Sequence, residues 1–208
     1  MGRVFNTEWC DFEDPPTDPH DTTFYDGDDN LIYIGRTVYN SWGTSELVPQ
    51  WDTMCIYVDG ACAYNGYPNA RASVGVYFGP DSAYNWAGIL DRNTHPQTSQ
   101  YAEIFAAIRA LRIYRASRSE GYRGWDAVET VVVVTDSDYV FRAITDYVYK
   151  WEGNNYMNSR GVPVVNGRGF RQLNRIVKDL ESEGIAVLFW KVPREYNQEA
   201  NALAGNEL

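Results

Sequence analysis

Short apolar runs broken by turn residues mark three successive stretches in the middle of the chain. MCIYVDG, ASVGVYFG and NWAGIL are rich in β-prone residues and bounded by glycine, aspartate or asparagine. That pattern predicts three strands joined by short turns as an antiparallel meander. The period then changes. In HPQTSQYAEIFAAIRALRIYRAS, Ile104, Ile108 and Leu111, followed by Tyr114 or Arg115, recur at helical spacing. Thr98 or Ser99 can cap this helix, with Glu103 in its early turns. ETVVVVTDSDYV comes next, and four consecutive valines suit a strand buried on both faces in a parallel pairing. A short helix (YVFRAITDYVYKW), a polar loop (EGNNYMNSRGVPVVNGRG) and a longer helix (FRQLNRIVKDLESEG) follow. The strand IAVLFWKV and a last helical segment, NQEANALAGNEL, close the chain. The order βββ-α-β-α-α-β-α predicts an α/β domain over residues 54–208, with a mixed five-stranded sheet covered by helices.

Residues 1–53 lack this regularity. The first 31 read as a mostly irregular acidic extension, because DFEDPPTDPHD carries three prolines and five acids. LIYIG is a strand candidate that docks onto the body, and WGTSELVPQWD reads as a linker. The net charge of −10 belongs mostly to this head: residues 1–50 hold ten of the 28 acids and two of the 18 basic residues. The remainder is close to neutral, so the overall acidity does not exclude a polyanionic partner.

No apolar run approaches the roughly 18 residues of a membrane span. MGRVFNTEWC lacks the basic-then-apolar pattern of a secretory signal. Cys10, Cys55 and Cys62 have neither paired nor metal-ligand spacing, which suits a reducing compartment. An intracellular monomer is therefore expected. With His20 and His95 alone, a histidine-rich zinc site or a serine–histidine triad has little support.

Three acids carry the candidate chemistry. Asp59 ends the first regular strand, Glu103 lies on the first long helix, and Asp136 ends the valine strand. Singly, each has a structural reading: a turn dipeptide at Asp59-Gly60, a first-turn acid, and a helix cap in Asp136-Ser137-Asp138. Adjacent parallel strands bring their carboxyl ends to one edge, which would set Asp59 beside Asp136. Two close carboxylates repel unless a cation joins them. A hard divalent ion with oxygen ligands, magnesium above all, meets that need.

DGACAYNG with ARASVGVYFG, QTSQYAEIFAAIRAL, VVVVTDSDYV, and W…NS…G…VVNG occur in an order that resembles the catalytic domain of eukaryotic-type (type 1) ribonuclease H. The resemblance covers about three quarters of the chain, roughly residues 54–205. It implies a ribonuclease H-like fold and hydrolysis of the RNA strand of RNA–DNA hybrids with two Mg2+ ions, Mn2+ serving as substitute. Asp59 would bridge both ions, and Glu103 and Asp136 would complete the second site. Gly60, Cys62, Asn65, Ser99 and Gln100 would face the RNA strand, where 2′-hydroxyls in a wide minor groove are read. Tyr139, Tyr147 and Trp151 match a channel for the DNA strand, and Thr98, Asn166 and Ser159 match phosphate contacts.

The chain also departs from that family. Its last acidic position, usually aspartate, is Asn201 in VPREYNQEANALA, so a ligating oxygen stays and a charge goes. The preceding loop offers no histidine, Pro96 replaces the arginine of the phosphate pocket, and Glu152-Gly153 stands where lysines are usual. Arg160, Arg168, Arg171 and Arg175 are candidates to compensate. These departures favour an alternative: an impaired relative that binds hybrid or structured RNA without efficient cleavage.

Overall fold

The four valines sit at the centre of a mixed sheet. The computed structural model describes residues 2–7, 19–39, 41–121 and 125–208. Cys10 and residues 11–18 of the proline-rich acidic stretch lie outside them. Among the described residues seven strands share one sheet: β1 (Thr23–Asp26), β2 (Leu31–Tyr39), β3 (Ser45–Ala63), β4 (Arg71–Tyr77), β5 (Trp86–Ile89), β6 (Thr130–Thr135) and β7 (Ala186–Lys191). Five of them form the expected set. β3, β4 and β5 make the antiparallel meander, and β6 and β7 add in parallel beside β3.

Alternation explains the valine run. Val131 and Val133 enter the cluster packed under helix α1 (Ser99–Ser119) and helix α4 (Gly167–Ser182). Val132 and Val134 point to the other face, with Cys55, Tyr57, Trp190 and Ala200. Ala200 belongs to helix α5 (Gln198–Gly205), which packs on β3 and β4. Both sheet faces are thus covered, so both side-chain registers of β6 are apolar. The short helix expected after β6 is α2 (Asp138–Arg142), a π-helical turn (Ala143–Tyr147) and α3 (Val148–Gly153) in unbroken succession.

Upstream of residue 54 the structure departs from the sequence reading. LIYIG lies in β2, as expected, but SELVPQWD is strand rather than linker. It forms the first half of β3, so the boundary expected between residues 53 and 54 falls inside a continuous strand. Pro49 disguised it, because proline argues against a central strand. Here Pro49 pairs with Gly35 of β2, while the β6 ladder on the other side begins only at Thr53. The absent N–H therefore costs no ladder bond on that side. Residues 3–5 are also built in. Arg3, only 4% exposed, donates to Asn174 and to Glu181, and Val4 bridges Phe189 in parallel.

Among the described residues no helix is long and apolar enough to cross a membrane.

Candidate active site

The parallel ladder between β3 and β6 ends at Tyr57 and Val134. Asp59 and Asp136 each lie two residues further, at matched positions on neighbouring chain segments. Asp59 does not end its strand, as the sequence suggested. β3 runs on to Ala63, paired only with β4, and Asp59 sits opposite Gly75. What ends there is the parallel partner, and its loss opens the space in which the carboxylate sits. Asp59 is nonetheless only 7% exposed.

Glu103 reaches this point because Gly60 has no side chain. A Cβ at Gly60 would collide with the backbone of Ala102 and Glu103, so the start of α1 rests directly on β3. Thr98 caps that helix by accepting from Tyr101 N at 3.2 Å. Two further residues fix the outer acids. Ser137 Oγ donates to Glu103 Oε2 at 2.6 Å while accepting from Val140 N as the cap of α2. Asn197 Nδ2 donates to Asp136 Oδ1 at 2.8 Å and to Val58 O at 3.0 Å.

Asp59, Glu103 and Asp136 open into one cavity, together with Gly60, Cys62, Ser99, Gln100, Tyr139 and Arg194. Burial pushes the Asp59 carboxyl up to about 6, and the charge of Asp136 adds to this. Glu103 is pushed up to about 7, again chiefly by burial, with the Ser137 hydrogen bond and Arg194 acting in the opposite direction. Carboxylates held together against their own repulsion are a donor set fitted to a hard divalent cation. Among the described residues, however, no three His, Cys, Asp or Glu side chains stand close enough to grip one ion together. Glu103 and Asp136 are instead bonded to Ser137 and Asn197. The donor chemistry fits an oxygen-liganded ion, and Ser137 and Asn197 each bond one oxygen of an outer carboxylate.

Asn201 does not line this cavity. With its amide oxygen facing the guanidinium, it accepts from Arg194 Nε at 2.9 Å and Nη2 at 2.6 Å. Asn65 Nδ2 donates to Ser99 Oγ at 3.3 Å and ties the β3–β4 turn to the start of α1. Tyr139, Tyr147 and Trp151 meet at a second cavity beside the first. Their grouping survives the π-helical turn between them. Asn166 donates to the Tyr139 hydroxyl at 3.3 Å and lines a third cavity with Pro96, Arg168 and Arg171. Thr98 is not part of that cavity's lining. Ser159 stands exposed in a turn closed by Asn158 N donating to Val162 O, apart from these cavities. His95 packs edge-on against Phe105 with a ring separation of 4.6 Å, a packing role.

A family model described as RNase H matches residues 52–207. The chain belongs to the RNase H family. Ribonuclease H1 of Mus musculus is 32% identical over 157 residues, covering 74% of this chain and 49% of that protein. Ribonuclease H1 of Homo sapiens matches at the same identity and coverage. The chain thus spans about half the length of these relatives. Among solved structures, a foamy viral protease-reverse transcriptase in complex with RNA/DNA hybrid superposes with a TM-score of 0.54 at 21% identity, over 82% of this chain and 22% of that one. The solution structure of the PFV RNase H domain superposes with a TM-score of 0.51 at 20% identity, over 73% of this chain and 92% of that one, which shows the RNase H-like fold.

Within this RNase H domain, sequence reasoning missed Ser137, Arg194 and Asn197. Ser137 was legible only as a helix cap. The other two lie in a turn, PREYN, whose polar residues carry no periodicity, and their partners become visible only when β7 and α5 are folded onto β3.

Proposed function

We propose that this chain is a divalent-metal-dependent endonuclease that hydrolyses the RNA strand of RNA–DNA hybrids. The observation that carries this reading is the convergence of Asp59, Glu103 and Asp136 in one cavity whose rim is Gly60, Cys62, Ser99 and Gln100. Asp59, Glu103 and Asp136 would hold Mg2+ or Mn2+, and Asn201 stands at the sequence position where the resemblance implies a further acidic ligand. When bound, such ions lower the pKa of a water nucleophile and stabilise the leaving oxygen of an in-line displacement.

The protein's own part is placement. β3 fixes Asp59 on a rigid strand, Asn197 orients Asp136, and Ser137 orients Glu103. The turn carrying Cys62 and Asn65, with Ser99 and Gln100, presents backbone and amide groups toward the RNA minor groove. Tyr139, Tyr147 and Trp151 offer aromatic faces to the DNA strand. Thr98, Ser159 and Asn166 are phosphate contacts in this reading, with Arg168 and Arg171 supplying charge where Pro96 does not.

The test is cleavage of a hybrid labelled on either strand, with Mg2+, with Mn2+ and with chelator. Scission of the RNA strand alone, abolished by chelator and absent from RNA and DNA duplexes, is expected. A specific observation supports the alternative of a poorly cutting binder: Asn201 is neutral and held by Arg194. Tight hybrid binding without cleavage by the parent chain, with cleavage restored by Asn201→Asp, would decide for it.

A further inference from the structure

We infer that the Arg194 guanidinium takes the place of one of the two divalent ions, so that this chain binds a single ion where its fold suggests two. The inference rests on the metal-dependent reading above and refines it. Arg194 begins the turn Arg194–Tyr196 between β7 and α5, and it lines the cavity of Asp59, Glu103 and Asp136. It acts electrostatically on Asp59 and on Glu103, favouring their charged forms. With the Asn201 amide assigned in the orientation that satisfies both groups, the Arg194 fork donates through Nε and Nη2 to its one amide oxygen. An amide oxygen accepts these bonds without contributing charge, so the guanidinium's positive charge is left to the acids of the cavity.

Charge balance leads to the same result. Asp138 also lines the cavity but is paired with Arg142 and Lys191, so the three remaining carboxylates and one guanidinium leave a net −2, which one divalent ion neutralises. A carboxylate at position 201 and no arginine would leave −4, enough for two. A second divalent ion bound at Asn201 would meet a fixed positive charge at contact distance. Like charges in contact repel strongly even at an intermediate effective dielectric. Asn201 and Arg194 thus act as one compensated unit: the absent acid and the added base belong together.

The experiment counts ions. Mn2+ is titrated into the chain bound to a hybrid with a 2′-fluoro RNA strand, chosen to resist hydrolysis, with free Mn2+ followed by electron paramagnetic resonance and heat by calorimetry. The parent chain is expected to take up one ion, and the Arg194→Gln/Asn201→Asp double variant two. Arg194→Gln alone should gain a weak second site, which keeps the inference testable if the double variant fails to fold. Two ions of similar affinity in the parent chain overturn the substitution while leaving metal dependence intact. No uptake by any of these proteins overturns both.

Discussion

Asn197 Nδ2 donates at once to Asp136 Oδ1 at 2.8 Å and to Val58 O at 3.0 Å. Asn197 is fully buried, so one amide nitrogen joins the β3 backbone, the acid after β6 and the start of α5. Truncation would strand a buried carbonyl and free a carboxylate. Asn197→Ala should therefore destabilise the fold by about 1–3 kcal/mol, and it should weaken Mn2+ binding more than Ser137→Ala weakens it. Urea melts and Mn2+ titrations read the two effects. A variant with parental stability and metal affinity would remove Asn197 from the site's framework.

The raised acids set a pH dependence of stability for the metal-free chain. Asp59 moves from an ordinary 3.8 to about 6, and Glu103 from 4.5 to about 7. Between about pH 4 and pH 7 the folded chain holds protons that the unfolded chain releases, so stability falls as pH rises through this window. The stabilising contribution is full below the unfolded values and is lost above the folded ones. In chelator at pH 8, Asp59→Asn should be more stable than the parent by on the order of 1–3 kcal/mol, and the gap should close near pH 4. Melts at both pH values test this. An equal gap at each would show that the effect is not electrostatic.

Much of the fold was readable from the chain because local signals agreed with one another. The valine run, the change to helical period at Ile104, and acids at each junction specified the β3–α1–β6 arrangement without any knowledge of tertiary packing. What escaped detection depended on pairings between distant segments. Pro49 concealed half of β3, since nothing local shows which edge of a strand lacks a neighbour. Arg3 looked like part of a free acidic head, yet its partners Asn174 and Glu181 lie far along the chain. The Arg194–Asn201 pair spans a loop and a helix turn, and neither residue type announces the other.

Gly60 gives a further test, because its role in the structure is steric. A methyl group there meets the backbone of Ala102 and Glu103, which cannot rotate away as a side chain can. Gly60→Ala should push α1 off β3, with a loss of about 1–3 kcal/mol as in an overpacked core. Glu103 should retreat from Asp59 and Asp136, so Mn2+ affinity should drop in parallel. Gly66 is a useful control. It sits at φ +88 in the neighbouring turn with open space around it, so its substitution strains the backbone without touching α1. If Gly60→Ala lowered hybrid affinity while leaving stability and metal binding intact, its role would be substrate contact alone.

Arg168 and Arg171 share a cavity with Asn166 and Pro96, so they place positive charge at the site proposed above for a phosphate. The two are not equivalent. Arg171 lies over the Tyr156 ring at 4.8 Å and donates to Asn155 O at 3.2 Å, so it also braces the loop before α4. Removing one arginine–phosphate pairing should lower the slope of log affinity against log salt by roughly 0.7–0.9. Arg168→Ala should show that change with no shift in melting temperature, whereas Arg171→Ala should lower both. Affinities of catalytically silent Asp59→Asn chains for hybrid, measured from 50 to about 200 mM salt, the range over which phosphate contacts are strongly screened, separate the cases. An unchanged slope for Arg168→Ala would mean that this arginine is merely solvated, and that the chain grips the DNA strand through Tyr139, Tyr147 and Trp151 without help from this pocket.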